Sequence, residues 1–153
     1  MKNFKSMKKG IISMLGLIFV LIISLNAENA YAQGGMALWA GEAEDAIISG
    51  TAEIGTDCSN ASQADFVKML DGVGNAIRFE SVSIEESGSY DLLIDYFQAA
   101  DSKLELLVND VSKGELLFPA AQWCYQGPAA QYIIEIDLNQ GANSIELKVI
   151  SGS

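Results

Sequence analysis

Three acidic side chains lie close together in the stretch LWAGEAEDA, residues 38–46: Glu42, Glu44 and Asp45. Carboxylate oxygens are the ligands that calcium prefers, so Glu42 and Glu44 are candidate calcium ligands together with backbone carbonyls. In a strand, side chains alternate between faces, and these two glutamates would share one face. A solvated strand edge would show the same spacing, so both interpretations remain open at this point.

A second group of candidate residues lies in a polar stretch that lacks the alternation of a strand. Trp123 stands there between Gln122 and Cys124, and Tyr125 follows. An aromatic ring can pack against the apolar C–H face of a sugar, while polar neighbours bind its hydroxyl groups. The pattern favours a sugar-stacking role for Trp123, assisted by Tyr125. The alternative is a tryptophan that closes the end of a β-sandwich.

Two other aromatic residues are harder to place from sequence. Phe66 is a candidate stacking ring because Lys68, two residues later, would lie on the same face of a strand and favours exposure. An isolated phenylalanine after Asp65 fits a core position equally well. We expect Trp39 to fill the core or a sheet edge.

The residue types argue against catalysis. The sequence contains no histidine, the commonest general base and transition-metal ligand. Glycosidase chemistry needs two carboxyl groups about 5–10 Å apart across a cleft, and no pair of acidic residues is marked out for that role. We therefore predict a protein that binds without turning over its ligand.

The first 32 residues have the pattern of an export signal. A basic start contains Lys2, Lys5, Lys8 and Lys9, residues 11–25 are apolar, and Ala30-Tyr31-Ala32 is a small-x-small cleavage site. A retained transmembrane helix is the alternative, but the run is shorter than the ~20 residues that a span needs. We predict secretion, a mature domain over residues 33–153 that starts at Gln33, and no membrane association after cleavage.

The charge of the predicted mature chain limits its partners. The whole sequence has 9 basic and 20 acidic residues. The predicted signal contains four of the basic residues and one of the acidic residues, so the predicted mature chain has a net charge of −14. Such a charge argues against nucleic acid and anionic membranes as partners. Neutral polysaccharides fit better than acidic ones, which would need a bridging metal because Arg78 is the only arginine.

Cys58 and Cys124 are the only cysteines. An even number of cysteines in an exported protein favours a disulfide, and two unpaired buried thiols are the alternative. A bridge would close a loop of about 66 residues and contribute about 4 kcal/mol in the chain-entropy model.

Past the signal, apolar residues recur with the two-residue period of half-buried strands. The clearest examples are NAIRFESVSI, SYDLLIDYF, QYIIEIDL and NSIELKVI, and LELLVNDVSKGELLF is typical of a hairpin that turns at Asn109-Asp110. Turn residues separate these segments, and none shows helical periodicity. We predict a single all-β domain, a two-sheet antiparallel β-sandwich or jelly roll.

The ordered set of motifs resembles carbohydrate-binding modules of families 6 and 35. It comprises GEAEDAIISG, ADFVKMLDGVGNAIRFESVSI, SGSYDLLIDYF, LELLVND, LFPAAQW and IEIDLNQGANSIELKV, and it covers nearly all of the predicted mature chain. The resemblance implies a galactose-binding-like β-jelly roll that binds polysaccharide, such as xylan or another plant β-glycan, without cleaving it. It also implies a structural calcium ion held partly by Glu42 and Glu44, and a sugar ring between Phe66 and Trp123.

The sequence departs from these modules after IELKVISGS. There, the modules continue into a final strand that carries an asparagine of the sugar site and an aspartate of the calcium site. We therefore expect a sheet with one unfilled strand position. Two interpretations follow: a piece of a longer protein, with a catalytic domain as a possible neighbour, or a shortened module that exchanges strands with a neighbour. The alternative function is a calcium-dependent structural or adhesive extracellular subunit.

Overall fold

The computed structural model describes residues 16–17, 20–25, 37–61, 65–68 and 72–150. The predicted cleavage site and the start of the mature chain at Gln33 lie outside these residues, as does the basic start of the signal. Within the described part of the chain, no helix has the length and apolar character needed to cross a membrane.

Strands make up most of the described chain. In order, they are β1 (Gly16–Leu17), β2 (Val20–Leu25), β3 (Ala37–Glu42), β4 (Ile47–Ser49), β5 (Glu53–Gly55), β6 (Phe66–Lys68), β7 (Ala76–Ile84), β8 (Gly88–Tyr96), β9 (Ser102–Val108), β10 (Val111–Phe118), β11 (Ala130–Leu138) and β12 (Gly141–Val149). Among the described residues, one 3-10 turn, Ala43–Asp45, interrupts the strands.

Two antiparallel sheets face each other. The strand order is β10-β9-β12-β7-β4 in the five-stranded sheet and β11-β8-β2-β3 in the four-stranded sheet, and β1, β6 and β5 form a small third sheet. The predicted all-β sandwich is therefore confirmed.

The core forms where the inner faces of the two sheets meet. Its buried side chains recur at every second position, as in Tyr90, Leu92 and Ile94 of β8 and in Ile145 and Leu147 of β12. This two-residue recurrence is the alternation from which the strands were predicted. The predicted hairpin is also present, because Asn109 and Asp110 both have positive φ, as a two-residue type I′ turn requires.

The two ends of the sandwich differ in their connections. At one end, short turns at 85–87, 109–110 and 139–140 join consecutive strands, the turn at 109–110 within one sheet and the other two between the two sheets; we call this the hairpin end. At the other, the longer segments 97–101 and 119–129 leave and enter the sheets; we call this the long-loop end. Since β3 and β8 are both antiparallel to β2, β3 also finishes at the long-loop end, where Glu42 is its last residue.

The middle of the four-stranded sheet is the main departure from expectation. The sequence predicts an unfilled strand position, but β2, which comes from the predicted export signal, pairs there with both β3 and β8. A strand position flanked on both sides leaves many backbone groups in need of partners, and an apolar segment can supply them.

Candidate functional site

The aromatic pair of the long-loop end lies in segment 119–129. The rings of Trp123 and Tyr125 are parallel to within 1°, with centroids 6.3 Å apart. This is an offset parallel arrangement within the range of interacting aromatic pairs. Tyr125 is 66% exposed, and Trp123 is half-buried. The two rings together form an accessible apolar surface, and Gln122 and Gln126 flank them in the sequence.

Hydrogen bonds within the loop hold this pair in place. The amide of Trp123 donates to the side-chain oxygen of Gln126 (3.0 Å), and the amide of Gln126 donates back to the Trp123 carbonyl (2.8 Å). Gln122 donates to the carbonyl of Pro128 (2.7 Å). A Cβ on Gly127 would lie 2.5 Å from the Gln122 amide nitrogen, so this tight loop closure favours glycine there. Trp123 therefore lies in a defined turn.

The loop is also attached to the sheets at its first residues. The buried side-chain amide of Gln98 donates to the backbone carbonyls of Phe118 and Pro119. The backbone carbonyl of Gln98 accepts from the backbone amide of Ala121 at 2.8 Å. Asp101 accepts from the amide of Ala120 at 2.7 Å. These contacts join segments 97–101 and 119–129 into one unit. Sequence reasoning missed Gln98, since a glutamine after a strand gives no signal of burial.

A small buried cluster lies beneath the loop. It contains Cys58, Phe66, Phe97 and Cys124, with Ala61 and Ala129 packed against it. Phe66 is 5% exposed, so its ring supports the loop from inside and is not presented to a ligand. The predicted stacking role of Phe66 does not fit this position. The core alternative is the one that the structure shows, because β6 directs the ring into the cluster.

The two cysteines meet as the sequence suggests, but they are free thiols. The predicted disulfide is therefore absent from the structure. Both side chains are buried in this one cluster. Burial first, and the neighbouring Cys58 second, raise the pKa of Cys124 to about 12, so the thiol stays protonated. Sequence reasoning also missed Asn60, whose side chain donates to the Cys124 carbonyl.

The acidic stretch at the end of β3 takes a different shape from the one that strand alternation predicts. The strand ends at Glu42, and Glu44 lies in the 3-10 turn, where the amide of Ala46 donates to the carbonyl of Ala43 at 3.2 Å. Ala43 is fully buried, which holds the turn against the core. The strand-edge interpretation requires both glutamates to lie on one face of a continuous strand. The structure does not have this arrangement, because the strand ends before Glu44.

Negative charges surround Glu44. Partial burial raises the pKa of Glu44, and the carboxylates of Glu42, Asp45 and Asp65 raise it further. Asp65 was not anticipated as a member of this group; β6, which follows it, contacts the 3-10 turn. A cation near these carboxylates would relieve their repulsion. However, the described residues include no group of three or more acidic, cysteine or histidine side chains placed to hold a metal ion.

The cationic side chains near the sheets are mostly paired. Arg78 contacts Glu80, Asp110 and Glu146, at 3.3, 2.6 and 3.0 Å. Lys68 pairs with Glu53, and Lys103 pairs with Glu115. The only arginine is thus occupied by three carboxylates, which leaves it poorly suited to bind an acidic ligand.

No family model matches the sequence, and a search of curated proteins finds no match. Solved structures do match. A family 35 carbohydrate binding module from Clostridium thermocellum is 22% identical, with a TM-score of 0.69, over 76% of this chain and 90% of the module. A native structure of a family 35 module from the same organism is 28% identical, with a TM-score of 0.65, over 72% of this chain and 85% of the other.

A third match, the GH26-CBM35 beta-(1,4)-mannanase of Podospora anserina, is 27% identical, with a TM-score of 0.59. It covers 71% of this chain but only 23% of the mannanase, so the likeness extends to one part of that enzyme. The chain therefore resembles a carbohydrate-binding module, and its fold is the galactose-binding-like fold of family 35 modules, as its ordered motifs predict.

Proposed function

We propose that this protein is a secreted, non-catalytic module that binds a neutral polysaccharide, of the xylan or β-glycan type, at its long-loop end. The observation that carries the proposal is the parallel, accessible pair of Trp123 and Tyr125. Such a pair offers apolar surface to the C–H face of a sugar ring. The side-chain oxygen of Gln126 accepts from the Trp123 amide, so this exposed residue offers the sugar hydroxyl groups the donors of its side-chain nitrogen.

Charge supports a neutral ligand. The three carboxylates around Arg78 neutralise the only guanidinium group, and the predicted mature chain carries a net charge of −14 from its 5 basic and 19 acidic residues. A uronate polymer would be repelled by this charge and would find few free cations. Neutral glycans are not repelled by this charge and do not need free cations.

Affinity electrophoresis in gels that contain xylan, β-glucan or mannan tests this function. We expect one gel to retard the wild type, and Trp123→Ala to weaken binding about ten- to a hundredfold, equivalent to 1–3 kcal/mol. Val111→Ala is the matched control, since Val111 is an exposed apolar residue (59%) at the opposite end. Equal retardation of wild type and Trp123→Ala would place the binding surface elsewhere, and no retardation in any gel would contradict the proposal.

We also propose a structural calcium ion at Glu42 and Glu44, completed by backbone carbonyls. The support is the family resemblance and the mutual repulsion of the carboxylates around Glu44. Calcium that binds only the folded state raises the melting temperature in proportion to the logarithm of its concentration.

The matched pair for calcium is Glu44→Gln and Glu85→Gln, an exposed glutamate of the hairpin end. Calcium should stabilise the wild type and Glu85→Gln, and should stabilise Glu44→Gln much less. Without calcium, Glu44→Gln should be no less stable than wild type, because it removes a charge from a repulsive group. A melting temperature that ignores millimolar calcium in all three proteins would rule out the ion.

A further inference from the structure

The spacing of the two accessible rings limits how a sugar can contact them. The ring planes of Trp123 and Tyr125 are parallel to within 1°, and their centroids are 6.3 Å apart. Carbon atoms in favourable contact lie about 3.5–4.0 Å apart, so a sugar held between two aromatic rings needs their planes about 7–8 Å apart. Two parallel planes are never farther apart than the centroids within them. No sugar ring therefore fits between Trp123 and Tyr125.

Within the described ranges, no other aromatic ring closes the site from the opposite side. Phe66, the second ring that the family resemblance implies, is 5% exposed and packs beneath the loop with Phe97. None of the aromatic contacts of the described residues adds a third ring to Trp123 and Tyr125. A sugar chain that contacts both rings must lie across them, and such a contact accepts the interior of a chain as well as its end.

A β-turn fixes the orientation of the two rings. The amide of Gln126 donates to the carbonyl of Trp123, three residues earlier, at 2.8 Å. Cys124, the second residue of this turn, is buried below it, and its carbonyl accepts from the side chain of Asn60. Trp123 and Tyr125 thus lie on either side of an anchored residue. The fold itself sets their parallel orientation, which lowers the cost of ordering the site around a sugar chain.

Parallel rings match a sugar chain whose successive rings have parallel faces. In an extended β-1,4-linked glucan, successive sugars alternate in direction, so their mean planes stay nearly parallel. All of the ring hydroxyls are equatorial, which leaves C–H groups on both faces to pack on an aromatic plane. A twisted chain such as xylan turns each sugar face away from the previous one. It can therefore lie flat on only one of the two rings at a time.

We propose that Tyr125 determines the specificity of this site, and that the site selects a flat β-1,4-linked glucan bound across two successive sugars. This specificity rests on the proposed polysaccharide-binding function and narrows its ligand class. Trp123 packs on one sugar and Tyr125 packs on the next. Only a chain that keeps the faces of both sugars parallel makes the second contact.

Calorimetric titration of the full chain with cellohexaose and with xylohexaose tests the preference. We expect the wild type to bind cellohexaose about tenfold more tightly, because the flat chain makes one additional aromatic contact. Tyr125→Ala should lose affinity for cellohexaose alone, so that it binds the two sugars equally. Tyr125→Phe, which keeps the ring, is the matched control and should keep the preference. Because Tyr125 is 66% exposed, both variants should melt at the wild-type temperature.

Chain length gives a second test of the contact with two sugars. Cellotetraose should displace cellohexaose from the wild type, whereas glucose should not, because a single sugar cannot reach both rings.

The outcomes separate this specificity from the proposed function. Equal affinity of the wild type for both hexasaccharides, or a preference that survives in Tyr125→Ala, would overturn the specificity. The polysaccharide-binding function would still stand if Trp123→Ala weakened retardation in the gels. Absence of retardation in the xylan, β-glucan and mannan gels would overturn the function, and the specificity with it.

Discussion

The hairpin end and the long-loop end of the sandwich use polar residues in opposite ways. At the hairpin end, buried Asn143 donates to the carbonyls of Val82, Asn139 and Gly141 and accepts from the side chain of Asn109 and the amide of Asn139. At the long-loop end, side chains such as Gln98 and Asn60 fix backbone so that Trp123 and Tyr125 stay accessible. The first arrangement stabilises the fold; the second positions a surface.

The largest expected effect is a loss of stability at the hairpin end. Asn143→Ala leaves several buried donors and acceptors without partners, so we expect the free energy of unfolding to fall by about 3 kcal/mol. Gln140→Ala, an exposed residue of the same turn, should change it by less than about 0.5 kcal/mol. Urea unfolding measures both. Polysaccharide affinity should be unchanged in both variants. A weaker affinity of Asn143→Ala would contradict the claim that the hairpin end stabilises the fold without contributing to binding.

A smaller effect on both properties is expected beneath the loop. Asn60→Ala removes the donor to the Cys124 carbonyl, so stability should fall by about 1–2 kcal/mol. The position of Trp123 would then be less fixed, and we expect a several-fold loss of affinity in the same gels. Asn60→Ala with wild-type affinity would mean that the loop holds its shape without this contact.

Alkaline pH should act on the long-loop end. Because the folded pKa of Cys124, about 12, exceeds the ordinary value of 9.0, the unfolded chain loses this proton first as pH rises. The contribution of the protonated Cys124 thiol to the free energy of unfolding is therefore intact below pH 9. It is lost as the pH rises towards 12, by about 1 kcal/mol per pH unit. Cys124→Ala should flatten this slope in unfolding curves measured from pH 8 to 11.

The same two cysteines offer a chemical check on the buried cluster. Free, buried and protonated thiols should react with iodoacetamide only after urea unfolds the protein, without any reductant. Two thiols that remain blocked in urea until reductant is added would contradict the free pair in the structure.

The smallest effect is expected on the outer face of the five-stranded sheet. Arg78→Gln removes a guanidinium group that contacts three carboxylates. Because the pairs are partly exposed, the loss should be at most about 1 kcal/mol at low salt and should shrink as salt is added. A loss that is independent of salt would indicate packing of the arginine side chain as its main contribution.

The sequence predicted the regular parts of this molecule well because their signals are local. Alternation located the strands with core positions Tyr90, Leu92 and Ile94, and the Asn109-Asp110 pair located a hairpin. Each signal lies within a few residues of what it predicts.

The features that the sequence did not reveal depend on contacts between distant residues. Phe66 is buried by Phe97 and the two cysteines, which lie in other segments, so its own neighbours gave no clue. The 3-10 turn at Glu44 depends on the burial of Ala43, and Asn60 reaches Cys124 across 64 positions. The polar residues around Trp123 were enough to nominate it as a candidate. Its parallel contact with Tyr125 could not be predicted, because that contact depends on the geometry of the turn.

The two tryptophans allow the central claim to be tested within one sample. Trp39 packs against the core, whereas Trp123 lies in the candidate site. Protein labelled with 5-fluorotryptophan should give two fluorine resonances, which Trp123→Phe assigns. On titration with the polysaccharide that retards the protein in gels, the Trp123 resonance should shift saturably while that of Trp39 stays in place. Binding that leaves the Trp123 resonance unmoved would contradict the account.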